Sequence, residues 1–202
     1  MMQYSQAYED KIIERVLGHI EHGKYVDIGA GDALLYSNTY SLYLKGWRGI
    51  CVDPLYKEYA SHVEKRPEDI NIHTAISNYD GEIDMCETAT LGSYIGDQYS
   101  TVGMLDGYHP PVRKERCMTM NTLLSMYPEY WNADLFTIDI ETNEHKALEC
   151  CDFLKFTPKL IIIEYLVRNV DYRSNWIHYI DPHYELLETV SGNAVYLRKS
   201  NA

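Results

Sequence analysis

Between residues 6 and 20 the apolar side chains Ile12, Ile13, Val16, Leu17 and Ile20 recur at three- and four-residue spacings, the period of one helix face. This predicts a helix over 5–20, with Ser5 as its N-cap and Gly23 past its end. Short apolar runs follow at 25–28, 47–52 and 70–76, each closed by turn residues: Gly29-Ala30-Gly31, Asp53-Pro54 and Asn78-Tyr79-Asp80-Gly81. These runs read as strands, separated by helices over 38–46 and 55–65. A short antiparallel return is expected over 82–87, then a strand over 112–118 and a helix over 120–127.

The clearest strand is 134–140, followed by a helix with apolar positions at 147, 148, 151 and 154. Leu160-Ile161-Ile162-Ile163 is an unbroken apolar run, which suits a strand covered on both faces in a parallel sheet. The chain closes with strands over 184–190 and 194–198, joined by Ser191-Gly192-Asn193 as a hairpin turn. Strands alternating with helices predict a three-layer α/β domain, and without repeats or a linker one domain is expected over 1–202. Residues 90–112 carry Gly92, Gly96, Gly103, Gly107 and Pro110-Pro111 without a period. A segment of this kind is expected to be functional, here as a substrate lid with Tyr94, Tyr99, Tyr108, His109 and Arg113.

Composition narrows the function. Across 202 residues, 18 Lys and Arg oppose 30 Asp and Glu, a net charge of −12. That balance argues against nucleic acid as a partner, because phosphate-backbone binding needs a basic footprint. No apolar run reaches the ~20 residues that span a bilayer, so no membrane is expected. The start, Met1 to Gln6, lacks a basic flank followed by an apolar stretch, so no signal peptide is expected. Five Cys without Cys-x-x-Cys spacing fit a reducing compartment, and the cytoplasm is the expected location. The eight His form no zinc pattern, and the 19 Tyr supply surface for a homodimer.

The candidate chemistry begins at the loop Asp27-Ile28-Gly29-Ala30-Gly31-Asp32. Glycines after a strand let the backbone turn sharply and approach a ligand. A P-loop would need Gly-Lys-Ser/Thr, which is absent, and a dinucleotide loop would want a third Gly where Leu34 stands. Asp27 and Asp32 would repel a pyrophosphate but favour a sulfonium bearing an ammonium group, as in S-adenosylmethionine. Asp53 ends the second strand, where a carboxylate can accept hydrogen bonds from both ribose hydroxyls.

Several blocks, in order, resemble the FkbM-type family of S-adenosylmethionine-dependent methyltransferases. They are Ser5-Gln6-Ala7-Tyr8-Glu9-Asp10, Val26-Asp27-Ile28-Gly29-Ala30, Ser37-Asn38-Thr39, the run from Gly46 to Pro54, Ala75-Ile76-Ser77, the run from Ile138 to Glu144, and Ile161 to Glu164. The chain departs from the family pattern at Thr137, where Lys is usual, and at Thr142-Asn143, where Gly-Ala is usual. The resemblance implies a class I, Rossmann-like fold with a mostly parallel seven-stranded sheet and an antiparallel seventh strand. It also implies O-methylation, commonly of sugar hydroxyls, with Ser37, Asn38, Thr39, Pro54, Ala75 and Ile76 joining Asp27, Gly29, Ala30, Gly31 and Asp53 around the cofactor.

Asp139 stands at the C-terminal end of the predicted fourth strand, where ligands of open α/β sheets bind, and is the first choice for general base. Glu141 and His145 are further catalytic candidates, His145 against a solvated or capping role. Asp139, Glu141 and Glu164 together offer oxygen ligands for Mg²⁺. Glu144 reads as a solvated first-turn residue that favours the helix dipole. Three functions stay open at this point: an O-methyltransferase acting on a glycan or glycosylated small molecule, an RNA or nucleotide 2′-O-methyltransferase, and a cofactor-binding module without catalysis.

Overall fold

A computed structural model of the chain describes residues 4–88, 92–95, 112–167 and 169–200. The strands follow the apolar runs closely. The main sheet contains β1 (Lys24–Ile28), β2 (Arg48–Asp53), β3 (Ile70–His73), β8 (Leu135–Ile138), β9 (Leu160–Glu164), β12 (Tyr184–Val190) and β13 (Asn193–Arg198), while β10 (Leu166–Val167) and β11 (Val170–Asp171) form a small antiparallel pair of their own. Their order across the sheet is β3-β2-β1-β8-β9-β13-β12. The five strands from β3 to β9 run parallel, and β13 enters antiparallel between β9 and β12. The mostly parallel sheet with a C-terminal antiparallel strand is therefore present.

Alternation along the strands builds a core on each face. Val26, Ile28, Ile50, Val52, Phe136, Ile138, Ile161 and Ile163 pack on one face with Met120, Leu123, Leu124, Ala147 and Leu148. Those residues come from α4 (Met120–Met126) and α5 (Glu144–Glu149). Tyr25, Cys51, Leu135, Leu160 and Ile162 pack on the other face with Ile12, Ile13, Leu17 and Leu42. The latter belong to α1 (Glu9–Leu17) and α2 (Tyr40–Leu44), while α3 (Tyr56–Lys65) follows β2. The last helix, α6 (Ile177–Ile180), precedes the closing hairpin.

Three expectations change. The first helix is shorter than 5–20: it opens at Glu9, with Tyr8 in the N-cap position, and Gly18 caps its C-terminus. Ser5 instead accepts from the Asp10 N–H at 3.4 Å. The predicted strand over 70–76 is two strands in two sheets. At Thr74 the chain leaves the main sheet, with its hydroxyl donating to the Arg116 carbonyl at 3.0 Å. Ala75 and Ile76 form β4, which pairs with β7 (Val112–Met118). Finally, a second sheet of order β4-β7-β5-β6 includes β5 (Gly81–Thr88) and β6 (Gly92–Ile95). Part of the expected irregular lid at 90–112 is therefore a strand. The side chains of Tyr94, Tyr99, Tyr108 and His109 lie outside the described residues. At the C-terminal hairpin the turn is Ser191-Gly192, with φ of 44° and 95°, and Asn193 already belongs to β13.

Candidate active site

The strands β1, β2 and β8 end together at one edge of the sheet, and a cavity of about 260 Å³ opens there, near the low end of small-molecule sites (~300–1,000 Å³). It is lined by Gly29, Gly31, Asp32, Asp53, Pro54, Leu55, Glu58, Asp139, Ile140 and Glu141. Five of these carry carboxyl groups and none is a Lys, Arg or His. A site of this composition attracts cations and disfavours phosphates.

Backbone geometry makes the floor. Gly29 has φ +74°, and a Cβ there would lie 1.8 Å from the Asp139 carbonyl oxygen, so glycine lets β1 and β8 approach. Gly31 has φ +58°, but a Cβ there would meet nothing within 4 Å, so it leaves open space against the cleft. The loop is pinned by Gly29 and Ala30 N–H groups donating to the Val52 carbonyl at 2.9 and 3.1 Å. From below, His62 Nε2 pairs with the Gly31 carbonyl at 3.2 Å. His62 is buried, and that desolvation pushes its pKa down to about 4, so the ring is neutral and donates.

Asp53 ends β2 as expected. Its Oδ2 accepts from the Gly31 N–H at 2.9 Å and its Oδ1 from the Leu55 N–H at 2.8 Å. Burial pushes its pKa up to about 6 despite those two donors. The Pro54 carbonyl accepts from His73 Nε2 at 3.0 Å and from Arg113 at 3.3 Å, which ties the second sheet to the rim of the cleft. Arg113 also pairs with Glu115 at 2.8 Å.

A second carboxyl group lies at the ends of β8 and β9. One carboxylate oxygen from each of Asp139, Glu144 and Glu164 falls within 4.8 Å of the others. Glu144 is 1% exposed and its Oε1 accepts from the Ile140 N–H at 2.9 Å. It is a first-turn residue of α5, but the helix start is buried, so the solvated reading does not hold. Burial raises Glu144 to about 8. Glu164 is raised to about 10, first by burial and then by the Asp139 charge, and it hydrogen-bonds Asp139. Asp139 is also raised by burial and lowered by that bond. The physical picture is one proton held on Glu164 and donated to an ionised Asp139.

Glu141 lines the cleft but stands apart from this trio. It has φ +56°, and Thr142 follows at φ +76°. Left-handed backbone at the β-branched Thr142 explains why glycine suits that place in the resembling family. His145 is half-buried on α5, with Nδ1 unbonded, and does not line the cleft.

Several residues expected around a cofactor sit elsewhere. The Thr39 hydroxyl donates to Asp27 at 2.6 Å and accepts from Arg66 at 3.0 Å. Ser37 accepts from Arg66 at 3.3 Å, and Asn38 donates to Thr137 at 3.2 Å. Asp27 is buried within this set, raised to about 6 by desolvation, and does not line the cleft. Ala75 and Ile76 are buried in β4 and contribute to the core. The sequence reading missed Glu58, His62, Glu144 as a buried acid, and Arg66.

The model of the methyltransferase FkbM domain matches residues 27–183. No curated protein matches significantly. Among solved structures, the chain is similar to a provisionally assigned rRNA-methylase from Clostridium thermocellum. That match has a TM-score of 0.50 and 9% identity, over 99% of this chain and 98% of that one. It is also similar to a TehB-like SAM-dependent methyltransferase from Corynebacterium glutamicum, with a TM-score of 0.49 and 12% identity, over 96% and 89%.

Proposed function

The chain belongs to the FkbM methyltransferase family, and from that premise we propose that it moves the methyl group of S-adenosylmethionine onto a hydroxyl of a glycan or glycosylated small molecule. One observation carries the reading: among the described residues, five carboxyl groups and no basic side chain line the cleft at the strand ends. That lining suits a sulfonium donor, and it suits a neutral hydroxyl acceptor better than a polyanion such as RNA. The residues present fit the cofactor on two counts. Gly31 leaves open space for its close approach, and Asp53 faces the cleft with a lone pair left on each oxygen.

Bound S-adenosylmethionine supplies an electrophilic methyl group, so the chain's own task is to position a hydroxyl and remove its proton. In this reading Asp139 takes that proton. It lines the cleft, and it is held ionised by the hydrogen bond from protonated Glu164. Its raised pKa brings it nearer the operating pH, where a general base is most effective. Glu144 keeps Ile140 in place through the backbone N–H and so fixes the turn that presents Asp139.

A second reading concerns a cation. The three oxygens within 4.8 Å would also suit Mg²⁺ at Asp139, Glu144 and Glu164, with Glu144 in the place first expected for Glu141. Chelation separates the two, since the proton-sharing reading expects activity to survive EDTA dialysis.

The test is methyl transfer from labelled cofactor to a panel of neutral glycans, glycosylated metabolites and RNA. We expect incorporation into a glycan hydroxyl, reduced roughly 10²–10⁴-fold by Asp139→Asn. Incorporation into RNA alone would overturn the acceptor, and no incorporation with intact cofactor binding would favour a binding module.

A further inference from the structure

Glu58 sits in the first turn of α3, five positions after Asp53, and lines the same cleft. Its two oxygens are treated unequally. Oε1 lies 3.3 Å from Lys57 Nζ, on a Lys side chain that is 87% exposed. Oε2 is buried and has no hydrogen-bond partner. A buried carboxylate oxygen without a donor costs free energy until one arrives, and Glu58 is one of the residues that line the cleft. An acid in the first turn of α3 favours the helix dipole, which a solvated side chain would serve as well, and the buried anchor of the helix is His62.

Asp53 is the neighbouring acceptor, and the Glu58 charge opposes its ionisation. Both Asp53 oxygens already hold one backbone N–H. Two adjacent carboxylates that repel each other are matched by a ligand presenting two adjacent donors. A ribose offers such a pair in its vicinal hydroxyls, and both hydroxyls can donate.

We propose that Glu58 is the second ribose ligand of the site: Oε2 accepts one hydroxyl hydrogen while Asp53 accepts the other, so the cleft selects a nucleoside with an intact diol. This rests on the adenosyl-cofactor reading and deepens it. Glu58 then determines specificity in binding and takes no part in methyl transfer itself.

The experiment is calorimetric titration of the full chain with S-adenosylhomocysteine and with its 2′-deoxy and 3′-deoxy analogues. Wild type, Glu58→Ala and Glu58→Met are compared, the last keeping the volume of the stem without an acceptor. Wild type is expected to lose roughly 10–100-fold in affinity for each missing hydroxyl, as for a hydrogen bond to a charged group. Either Glu58 variant is expected to lose about the same factor for S-adenosylhomocysteine, and then to be nearly indifferent to removal of one of the two hydroxyls. Variants that bind like wild type, or that keep the full penalty for both deoxy analogues, would overturn the proposal and leave the cofactor reading standing. If wild type itself fails to bind S-adenosylhomocysteine, the cofactor reading falls first. Side-chain exposure of 14% at Glu58 makes both variants compatible with folding, which a thermal melt checks.

Discussion

Two sets of buried polar side chains lie close together in this fold, and they differ in what satisfies them. Behind β1 and β2, Arg66 is fully buried and its guanidinium reaches Asp69 at 2.9 Å, Tyr25 at 2.7 Å, Thr39 at 3.0 Å and Ser37 at 3.3 Å. Asp69 in turn accepts from Tyr25 at 2.8 and 2.6 Å and from the Gly49 N–H at 2.8 Å. Every acid there has a donor from the protein. At the strand ends the acids outnumber the donors: Glu58 Oε2 and Glu164 Oε2 have none, and Asp139, Glu144 and Glu164 crowd one another. The first set is architecture, and the second is a site prepared for something that brings hydrogen-bond donors or positive charge.

Substitutions should separate the two sets. The largest effect is expected at Arg66: Arg66→Met leaves Asp69 buried without its counter-ion and should cost about 3–5 kcal/mol in denaturant unfolding. Ligand should not restore that loss beyond its ordinary mass action. Asp53→Ala should instead leave the fold nearly intact and weaken S-adenosylhomocysteine binding by about 1.5–3 kcal/mol in calorimetry. Gly31→Ala is expected to cost about 1–2 kcal/mol of stability from its left-handed backbone, without a steric clash, since a Cβ there meets nothing within 4 Å.

A further effect is in pH. Glu144 and Glu164 are raised to about 8 and about 10, far above their unfolded values, so the folded chain holds more protons than the unfolded one at neutral pH. Stability should therefore fall as pH rises. The window from about pH 7.5 to 8 isolates this, because unfolded histidines, with pKa about 6.5, are about nine-tenths neutral at its lower end. Thermal melts should show a falling midpoint, and Glu144→Gln should flatten the slope.

How much of this was readable from the sequence follows the same division. The loop Gly29-Ala30-Gly31 and Asp53 were legible because the glycines and the strand-end acid belong to one β-α-β unit, β1-α2-β2, whose pattern is read locally. The run Leu160 to Ile163 declared a strand covered on both faces, and all four are fully buried. Ser37 and Thr39 were expected beside a cofactor, and their hydrogen bonds to Arg66 were not foreseen. Arg66 lies 29 and 27 residues away, and no spacing rule points to it. Glu144 was misread because an acid in a first turn is usually solvated, whereas here the helix start is packed beneath the cleft. Leu154, assigned to the apolar face of that helix, is 81% exposed because the helix has already ended at Glu149. The second sheet was hidden because its pairing of β4 with β7 spans some forty residues, from Ala75 to Cys117.

The claim on which the rest depends is that the acidic cleft takes a cationic adenosyl donor and turns phosphates away. Side-by-side titration of the purified chain with S-adenosylmethionine and with a pyrophosphate-bearing adenine dinucleotide tests it most directly. Saturable binding of the first and none of the second at millimolar ligand is the result expected. Binding of the dinucleotide, with S-adenosylmethionine excluded, would contradict it.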